Sequence, residues 1–376
     1  MAAPSRTMGL PEAQALAREH AQAGRTAEAE AVCRAILEAS PDHVPTLHLL
    51  ALVLKNTGRD QEARSLLARA RALAPLQPLV ATDLALMDLA AGAPGGAAAA
   101  IAALALARTD GVQAMRIARA AEEKKQPGLT EEAWRTAIAR GDVDARAWSG
   151  LARVLERADR LEEAREACDR AIAAGAGDGL RFRRATMLPT VYESVAHVAA
   201  ARRDFAEGIA GLRREGLDLP DPAASISRVA FGLAYQGCND RDLMVELGAL
   251  FRDACPALSF VAPHVQAAPS PDGRRKLGFV SRFLCEQTVG SLMEGLIAAI
   301  DPARFEVHVI VPLRPGDPTW ERIAAAAHRV HALPGTLEAA RRVLAAAELD
   351  VWSLPASAWT AFSTSWPSAG MRGSRR

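Results

Sequence analysis

Apolar residues in the first half of the chain recur at intervals of three and four positions. Leu47, Leu50, Ala51 and Leu54 follow this spacing, and residues 148–155 follow it again with similar side chains. These intervals place side chains on one face of an α-helix. The pattern therefore predicts a series of short amphipathic helices.

The same residue types also return at a longer interval. The recurring positions are Gly24, Gly58 and Gly92, then Ala29, Ala63 and Ala97, and finally Pro41 and Pro75. A step of ~34 residues is the period of the tetratricopeptide repeat, in which each unit is a pair of antiparallel helices. We predict an all-α tetratricopeptide solenoid over residues 11–178, with about five units at this period. Its middle units, around residues 79–140, depart most from the pattern.

An array of this kind allows two functions. Each unit buries its apolar face only by stacking on its neighbours, which leaves an extended surface along the array. That surface belongs either to a rigid spacer or to a groove that holds a protein or peptide partner. We favour the groove, although the sequence does not identify the contact residues.

The composition limits the kinds of partner. The chain has 376 residues with 45 Lys and Arg against 44 Asp and Glu, so its formal net charge is +1. A balanced charge provides no overall field toward nucleic acid or an anionic membrane, and we predict neither as a partner. The five cysteines stand far apart without a CxxC pair, which argues against a metal site or a disulfide framework. Such cysteine usage is typical of a cytoplasmic protein.

One segment has the length and polarity of a membrane helix. Residues 89–107 carry no charge and are nearly long enough to span a bilayer. Pro94-Gly95-Gly96 lies within the segment, and this combination is typical of a turn. We therefore predict two short helices and no membrane span, and the first residues also lack the apolar core of a signal peptide.

Residues 179–270 keep a helical pattern without the repeat signature. Apolar residues at helical spacing predict packing helices over residues 192–201 and 240–254. Several prolines interrupt this helical linker region, and they place the domain junction at residues 267–273.

Strand and helix patterns alternate over residues 271–351. Predicted strands cover residues 275–281, 305–311, 329–333 and the start of 349–351, and predicted helices cover residues 288–300, 318–327 and 336–347. This alternation predicts a parallel, Rossmann-like sheet with ligands bound beyond the carboxyl ends of its strands. The loop 282–290 follows the first strand at that end. His308 stands in the second strand, where we expect its side chain to alternate outward.

Five sequence blocks in the second half carry a family resemblance. They are Lys276–Phe283, Thr288–Gly290 and Asp301–Val307, preceded by Ala230–Gly237 and Ala254–Pro256. Together with the repeats, this order resembles bacterial O-linked N-acetylglucosaminyltransferase-like (SPINDLY-type) proteins. The resemblance implies a partial first lobe of a GT-B type fold. It also implies transfer of N-acetylglucosamine from a UDP-sugar to Ser or Thr of a protein held partly by the repeats.

The catalytic positions implied by this resemblance are altered. Gln287 stands where the family has a His before Thr/Ser-Val-Gly, and Gln236 stands where many relatives have a His after the linker Tyr. Glutamine donates hydrogen bonds but cannot transfer a proton near neutral pH. His264 is a weaker catalytic candidate. Its more common interpretation is a partly exposed histidine of the linker without a catalytic role. We predict no cofactor, with UDP-N-acetylglucosamine as the donor substrate of an active form.

The last residues, 352–376, lose both helical and strand periodicity. The resemblance implies a second, donor-binding lobe after residue 351, and we interpret this tail as the product of a frameshift near codon 352. Group transfer depends on positioning by both lobes, so we expect little or no catalysis from this polypeptide. The alternative function is a non-catalytic tetratricopeptide scaffold for protein interactions.

Overall fold

The chain divides into two compact units, and each is described by itself. The computed structural model describes residues 9–106, 109–141, 145–226, 230–266 and 273–353. The first unit covers residues 1–175 and the second covers residues 176–376. Residues 267–272 of the predicted junction at 267–273, and the tail from residue 354 onward, lie outside the described residues.

The described part of the first unit consists of ten α-helices. They are α1 (Leu10–Gln22), α2 (Thr26–Ala39), α3 (Val44–Asn56), α4 (Asp60–Leu73), α5 (Pro78–Ala90), α6 (Gly96–Leu104), α7 (Gly111–Glu123), α8 (Pro127–Ala139), α9 (Ala145–Arg157) and α10 (Leu161–Ala173). Consecutive helices pack in pairs, which confirms the predicted helical repeats. We call α1, α3, α5, α7 and α9 the first helices and their partners the second helices.

Small buried residues lie where the two helices of a pair meet. Ala51 on α3 and Ala63 on α4 are 1% and 0% exposed, and Ala152 and Ala164 are both fully buried in the last pair. A methyl side chain lets two helix backbones approach closely, while the neighbouring leucines fill the contact. The periodic alanines therefore mark the helix pairs, as the sequence predicts.

The turn between the two helices of each pair contains a residue with left-handed backbone. Gly24, Gly58 and Gly92 have φ values of 73°, 78° and 64° in the first three pairs. Lys125 and Asp159 take the equivalent places with φ values of 56° and 60°. The backbone turn thus persists in the last two pairs, although the glycine has been lost there.

The uncharged segment 89–107 does not form one continuous helix in its described part. Helix α5 ends at Ala90 and α6 begins at Gly96, with Gly95 in left-handed backbone at φ 85°. This turn confirms the predicted pair of short helices. Within the described ranges, no helix combines the length and apolarity needed to cross a membrane.

The second unit begins with helices. They are α11 (Asp178–Ala185), α12 (Val195–Glu215), the single turn α13 (Pro222–Ser225) and α14 (Arg241–Ala254), with 3₁₀ segments at Ala230–Gln236, Pro256–Ser259 and Pro263–Gln266. Helix α12 starts later than predicted because the Ser194 side chain caps it by accepting from the His197 amide. Helix α14 matches the prediction within one residue.

A four-stranded parallel sheet follows. Its elements are β1 (Arg275–Val280), α15 (Thr288–Ala298), β2 (Phe305–Val311), α16 (Pro318–Ala326), β3 (Arg329–Ala332), α17 (Leu337–Ala347) and β4 (Val351–Ser353). The strand order is β3-β2-β1-β4, and every pairing is parallel. The predicted α/β architecture is confirmed, and β4 continues two residues into the segment that we predicted as tail.

Both faces of the sheet are covered. On one face, Val307 and Val309 share a core with Trp320 and Ile323 of α16. On the other face, Ile310 joins a larger core, which contains residues of α12, α14 and α17. The helices of the predicted linker region therefore pack into one core with the sheet, while the domain boundaries at residues 178, 270 and 351 stay predictions.

The expectation that His308 faces outward is wrong. His308 lies on the same side of β2 as Ile310, and it is 2% exposed. Helices cover both faces of a parallel sheet, so a polar residue that alternates away from one face still points into a covered face and not into solvent. Its ring stacks on His331 of β3 with centroids 5.1 Å apart.

Candidate functional site

Three consecutive first helices are joined by one buried carboxylate. Asp83 on α5 accepts a hydrogen bond from His48 on α3, with Nε2 and Oδ2 2.6 Å apart. Its other oxygen accepts from the Arg116 guanidinium on α7. The Asp83 side chain is only 6% exposed, so both carboxylate oxygens are satisfied by side chains from the neighbouring repeats.

The surroundings of Asp83 keep its carboxylate ionised. Burial alone raises the pKa of a carboxyl group because it penalises the charged form. The hydrogen bond from His48 and the charge of Arg116 outweigh burial, and the net pKa of Asp83 is lowered. A charge held this way fixes the spacing of α3, α5 and α7.

A second shared carboxylate lies further along the same face. Glu122 on α7 accepts from Arg153 at 2.7 Å and from Arg157 at 2.9 Å, and both arginines belong to α9. We call the surface formed by these side chains and their helical neighbours the first-helix face. It runs continuously from α3 to α9.

Exposed apolar side chains accompany these ions. Leu79 stands four residues before Asp83 on α5, and Val112 stands four residues before Arg116 on α7, so they lie on the first-helix face. They are 44% and 54% exposed. Helices α5 and α7 contact each other, and these two residues hold the same position in their helices. They form an apolar strip beside the charges.

The other candidate region is the loop after β1, at the carboxyl edge of the sheet. Gln287 precedes α15, and its side-chain amide donates to the Phe283 carbonyl of the same loop at 3.1 Å. Asp317 accepts from the amides of Glu286 and Trp320, which ties the loop to the start of α16. These two backbone hydrogen bonds lower the pKa of Asp317.

Gly290 allows this loop to close. A Cβ atom at position 290 would lie 1.9 Å from the Cys285 carbonyl oxygen, so a larger residue cannot occupy the observed backbone. The loop is compact, and Gln287 is directed to its own backbone. Chemically, Gln287 can position a polar group by hydrogen bonding but cannot act as an acid or base.

Gln236 lies in a different network. Its Nε2 atom donates to the Tyr192 hydroxyl at 2.5 Å, and its Oε1 atom accepts from Arg202 at 2.8 Å. Arg202 also donates to Asp240 at 2.6 Å. Gln236 is thus held by α12, and Arg202 connects α12 with the start of α14.

His264 lies near the amino end of β4. Its Nε2 atom donates to the Leu349 carbonyl at 3.2 Å, and its buried Nδ1 atom has no partner among the described residues. Within that part of the chain, His264, Gln236 and Gln287 share no hydrogen-bond partner. The structure places each in its own environment and does not assemble the three into one site.

A polar cluster that sequence reasoning did not identify lies on β2 and β3. His308 donates from Nε2 to Glu306, its Nδ1 atom accepts from His331, and Arg329 donates to Glu306 at 2.8 Å. Burial lowers the pKa of both histidines. In the described ranges, no group of three or more His, Cys, Asp or Glu side chains is arranged to hold a metal ion.

The network around Asp83 was also missed, although the sequence contains a signal. His48, Asp83 and Arg116 are separated by 35 and 33 residues, close to the repeat period. Polar residues of opposite charge at one repeat interval are candidates for contacts between neighbouring first helices. The spacing along the sequence does not show that the Asp83 carboxylate is buried.

Comparison with protein families finds the tetratricopeptide repeat over residues 20–87. Comparison with curated proteins finds no match.

Several solved structures are similar to parts of this chain. A structure of PilF from Pseudomonas aeruginosa is 16% identical over 54% of this chain and 90% of that one, with a TM-score of 0.39. A structure of MamA is 17% identical over 42% and 94%, with a TM-score of 0.37. An O-GlcNAc transferase mutant from Thermobaculum terrenum is 18% identical over 88% of this chain, with a TM-score of 0.25. This chain spans 42% of the length of that transferase. The tetratricopeptide repeat rests on the family match over residues 20–87, and the described helix pairs beyond residue 87 continue the same helical-pair architecture.

Proposed function

We propose that the repeats bind an extended peptide segment of a partner protein on the first-helix face. The observation that carries this proposal is the buried Asp83, which joins α3, α5 and α7 through His48 and Arg116. A face held in this way is preorganised, so less conformational freedom is lost when a peptide binds.

The apolar strip supplies the favourable contact. Leu79 and Val112 are both about half exposed, and full burial of such a side chain contributes ~1.5–3 kcal/mol relative to leaving it in water. Neighbouring polar groups then fix the position of the peptide. The proposed binding surface thus combines an apolar centre with charged surroundings, as protein interfaces do.

Selection of short peptides from a random display library against the full chain tests this function. Val112→Asp places a charge in the strip, and we expect it to weaken the selected peptides by about tenfold or more, given the burial free energy of one aliphatic side chain. Val245 on α14 is 53% exposed, so Val245→Asp is a matched control that leaves affinity unchanged. Equal losses in both variants would contradict the proposed face.

The α/β unit supports a second candidate function. We propose that residues 271–351 are the first lobe of an O-linked N-acetylglucosaminyltransferase-like domain. The strand order β3-β2-β1-β4 has the arrangement in which nucleotides bind beyond the carboxyl ends of parallel strands. The loop that contains Gln287 lies at this edge of the sheet.

We propose that the residues described here do not by themselves catalyse transfer. Gln287 cannot exchange a proton, and the single sheet among the described residues forms one wall of a crevice for a nucleotide sugar. Calorimetric titration of the full chain with UDP and with UDP-N-acetylglucosamine should give no saturable heat. Saturable binding would contradict this, and Gln287→His would then be the variant for acceptor assays.

A further inference from the structure

We infer that the peptide held on the first-helix face is acidic, an inference that rests on the proposed peptide-binding function. Each of the two carboxylates that join the first helices accepts hydrogen bonds from two side chains. Asp83 bonds His48 and Arg116, and Glu122 bonds Arg153 and Arg157. One carboxylate neutralises one unit of positive charge, so the Glu122 group, which has two arginine partners, retains a positive excess.

Further cations on this face have no carboxylate at all. Lys55 and Arg119 are exposed, and within the described ranges neither has an ion pair or a side-chain hydrogen bond. Arg119 lies three residues after Arg116 on α7, and Lys55 lies seven residues after His48 on α3. Both therefore share the face of those residues.

The charge count over equivalent helical positions agrees. The second, fifth, sixth, ninth, twelfth and thirteenth residues of α3, α5, α7 and α9 include six cations, Lys55, Arg116, Arg119, Arg146, Arg153 and Arg157. The same positions include four carboxylates, Asp83, Glu122, Glu123 and Glu156. The whole chain has a net charge of only +1, so the excess of cations is a local property of this face.

The second helices provide the contrast. Around Glu30 and Glu62, two carboxylates meet two guanidinium groups, those of Arg34 and Arg59. Charges there are matched in number and are already paired. The first-helix face is different because its cations outnumber its carboxylates, and an arriving Asp or Glu side chain gains charge-assisted hydrogen bonds there.

Charge complementarity and the apolar strip together define the ligand. Acidic side chains match the charges of Arg119 and Lys55, while an aliphatic or aromatic side chain matches the exposed Leu79 and Val112. A basic peptide is repelled by the same cations. The occupant is therefore an extended acidic segment of a partner protein with a single large apolar residue.

Peptide selection against the full chain, followed by binding measurements with matched synthetic peptides, tests this. Selected peptides should be enriched in Asp and Glu, and replacing these by Asn and Gln should raise Kd by about tenfold. The affinity should also fall as NaCl is raised, because salt screens exposed charges. Arg119→Glu should remove most of the preference for acidic over neutral peptides.

Arg214→Glu is the matched control, because Arg214 on α12 is exposed and has no ion pair among the described residues. It should keep the full preference. Selected peptides without acidic enrichment, with equal affinity for Arg119→Glu, would overturn the acidic ligand and leave the peptide groove standing. Failure to select any peptide would instead overturn the proposed groove itself, and with it this inference.

Discussion

The Arg59 guanidinium reaches from one repeat to the next and lies 2.8 Å from the Glu30 carboxylate. The same arginine bonds Glu62 within its own helix at 2.6 Å. Three repeats later, Arg160 bonds Glu131 and Glu163 at 2.7 Å and 2.6 Å. The chain thus builds the same ionic contact between repeats at two separate junctions.

This contact should couple neighbouring repeats. We expect a double-mutant cycle of Arg160→Met and Glu131→Gln to give a small but measurable favourable coupling in urea unfolding, since both side chains are partly exposed. The coupling should shrink at high salt. Arg170 and Glu166 are more exposed and 3.9 Å apart, so the same cycle there should give no measurable coupling. Equal coupling for the two pairs would contradict a role at the junction.

The left-handed turns give a second prediction. Lys125 has φ 56°, a conformation that costs a side-chain-bearing residue about 1–2 kcal/mol relative to glycine. Lys125→Gly should therefore raise the free energy of unfolding by roughly 0.5–1 kcal/mol, after the greater chain entropy of glycine is subtracted. Gly58→Ala should lower it by about 1 kcal/mol.

Chemical denaturation of the variants measures both effects. Gly128→Ala is the control for adding a methyl group, because Gly128 lies in α8 with open space around its Cβ position. That change should be neutral or stabilising. Destabilisation by Lys125→Gly would contradict the assignment of strain to this turn.

A third prediction concerns the contact between Trp134 on α8 and Gly150 on α9. A Cβ atom at Gly150 would lie 2.4 Å from Cε2 of the Trp134 ring, and Trp134 is only 1% exposed. Gly150→Ala should therefore lower the free energy of unfolding by about 1–3 kcal/mol, the usual range for overpacking. Trp134→Leu in the same chain should recover part of this loss. Additive losses in the double variant would show that the two positions do not compete for space.

His308, which is buried, and His331, which is partly buried, predict a dependence of stability on pH. Burial lowers the pKa of His308 and His331 in the folded chain, while in the unfolded chain their pKa values return to about 6.5. Below that pH the unfolded chain binds more protons, so stability falls as pH falls. The slope is at most ~1.4 kcal/mol per pH unit for each proton.

Unfolding measured between pH 7 and pH 5 tests this, and His308→Gln should reduce the slope. The hydrogen bond from Arg329 is the main cause that lowers the pKa of Glu306, and it outweighs the partial burial that would raise this pKa. Its contribution is lost only at lower pH, below the unfolded carboxyl pKa of about 4.3. A slope identical in His308→Gln and the original chain would contradict the assignment.

Local patterns determined most of the elements. β2 spans Phe305–Val311, as predicted from a segment that alternates between apolar and polar residues and ends in three consecutive apolar residues. The recurrent alanines likewise located the helix pairs. These features depend on neighbours along the chain and on a period that repeats in the sequence itself. They could therefore be read without knowledge of the packed structure.

Side-chain partners between elements could not be read in this way. The partners of Asp83 come from helices on either side of α5, and the partner of Gly150 is the ring of Trp134 on the preceding helix. His308 was expected outside because alternation along a strand does not show whether a helix covers that face. The sequence by itself determined helix pairs, strands and their order along the chain, since these follow from local periodicity. Only the tertiary structure decided which polar groups are buried and paired, because burial depends on residues far away in the sequence.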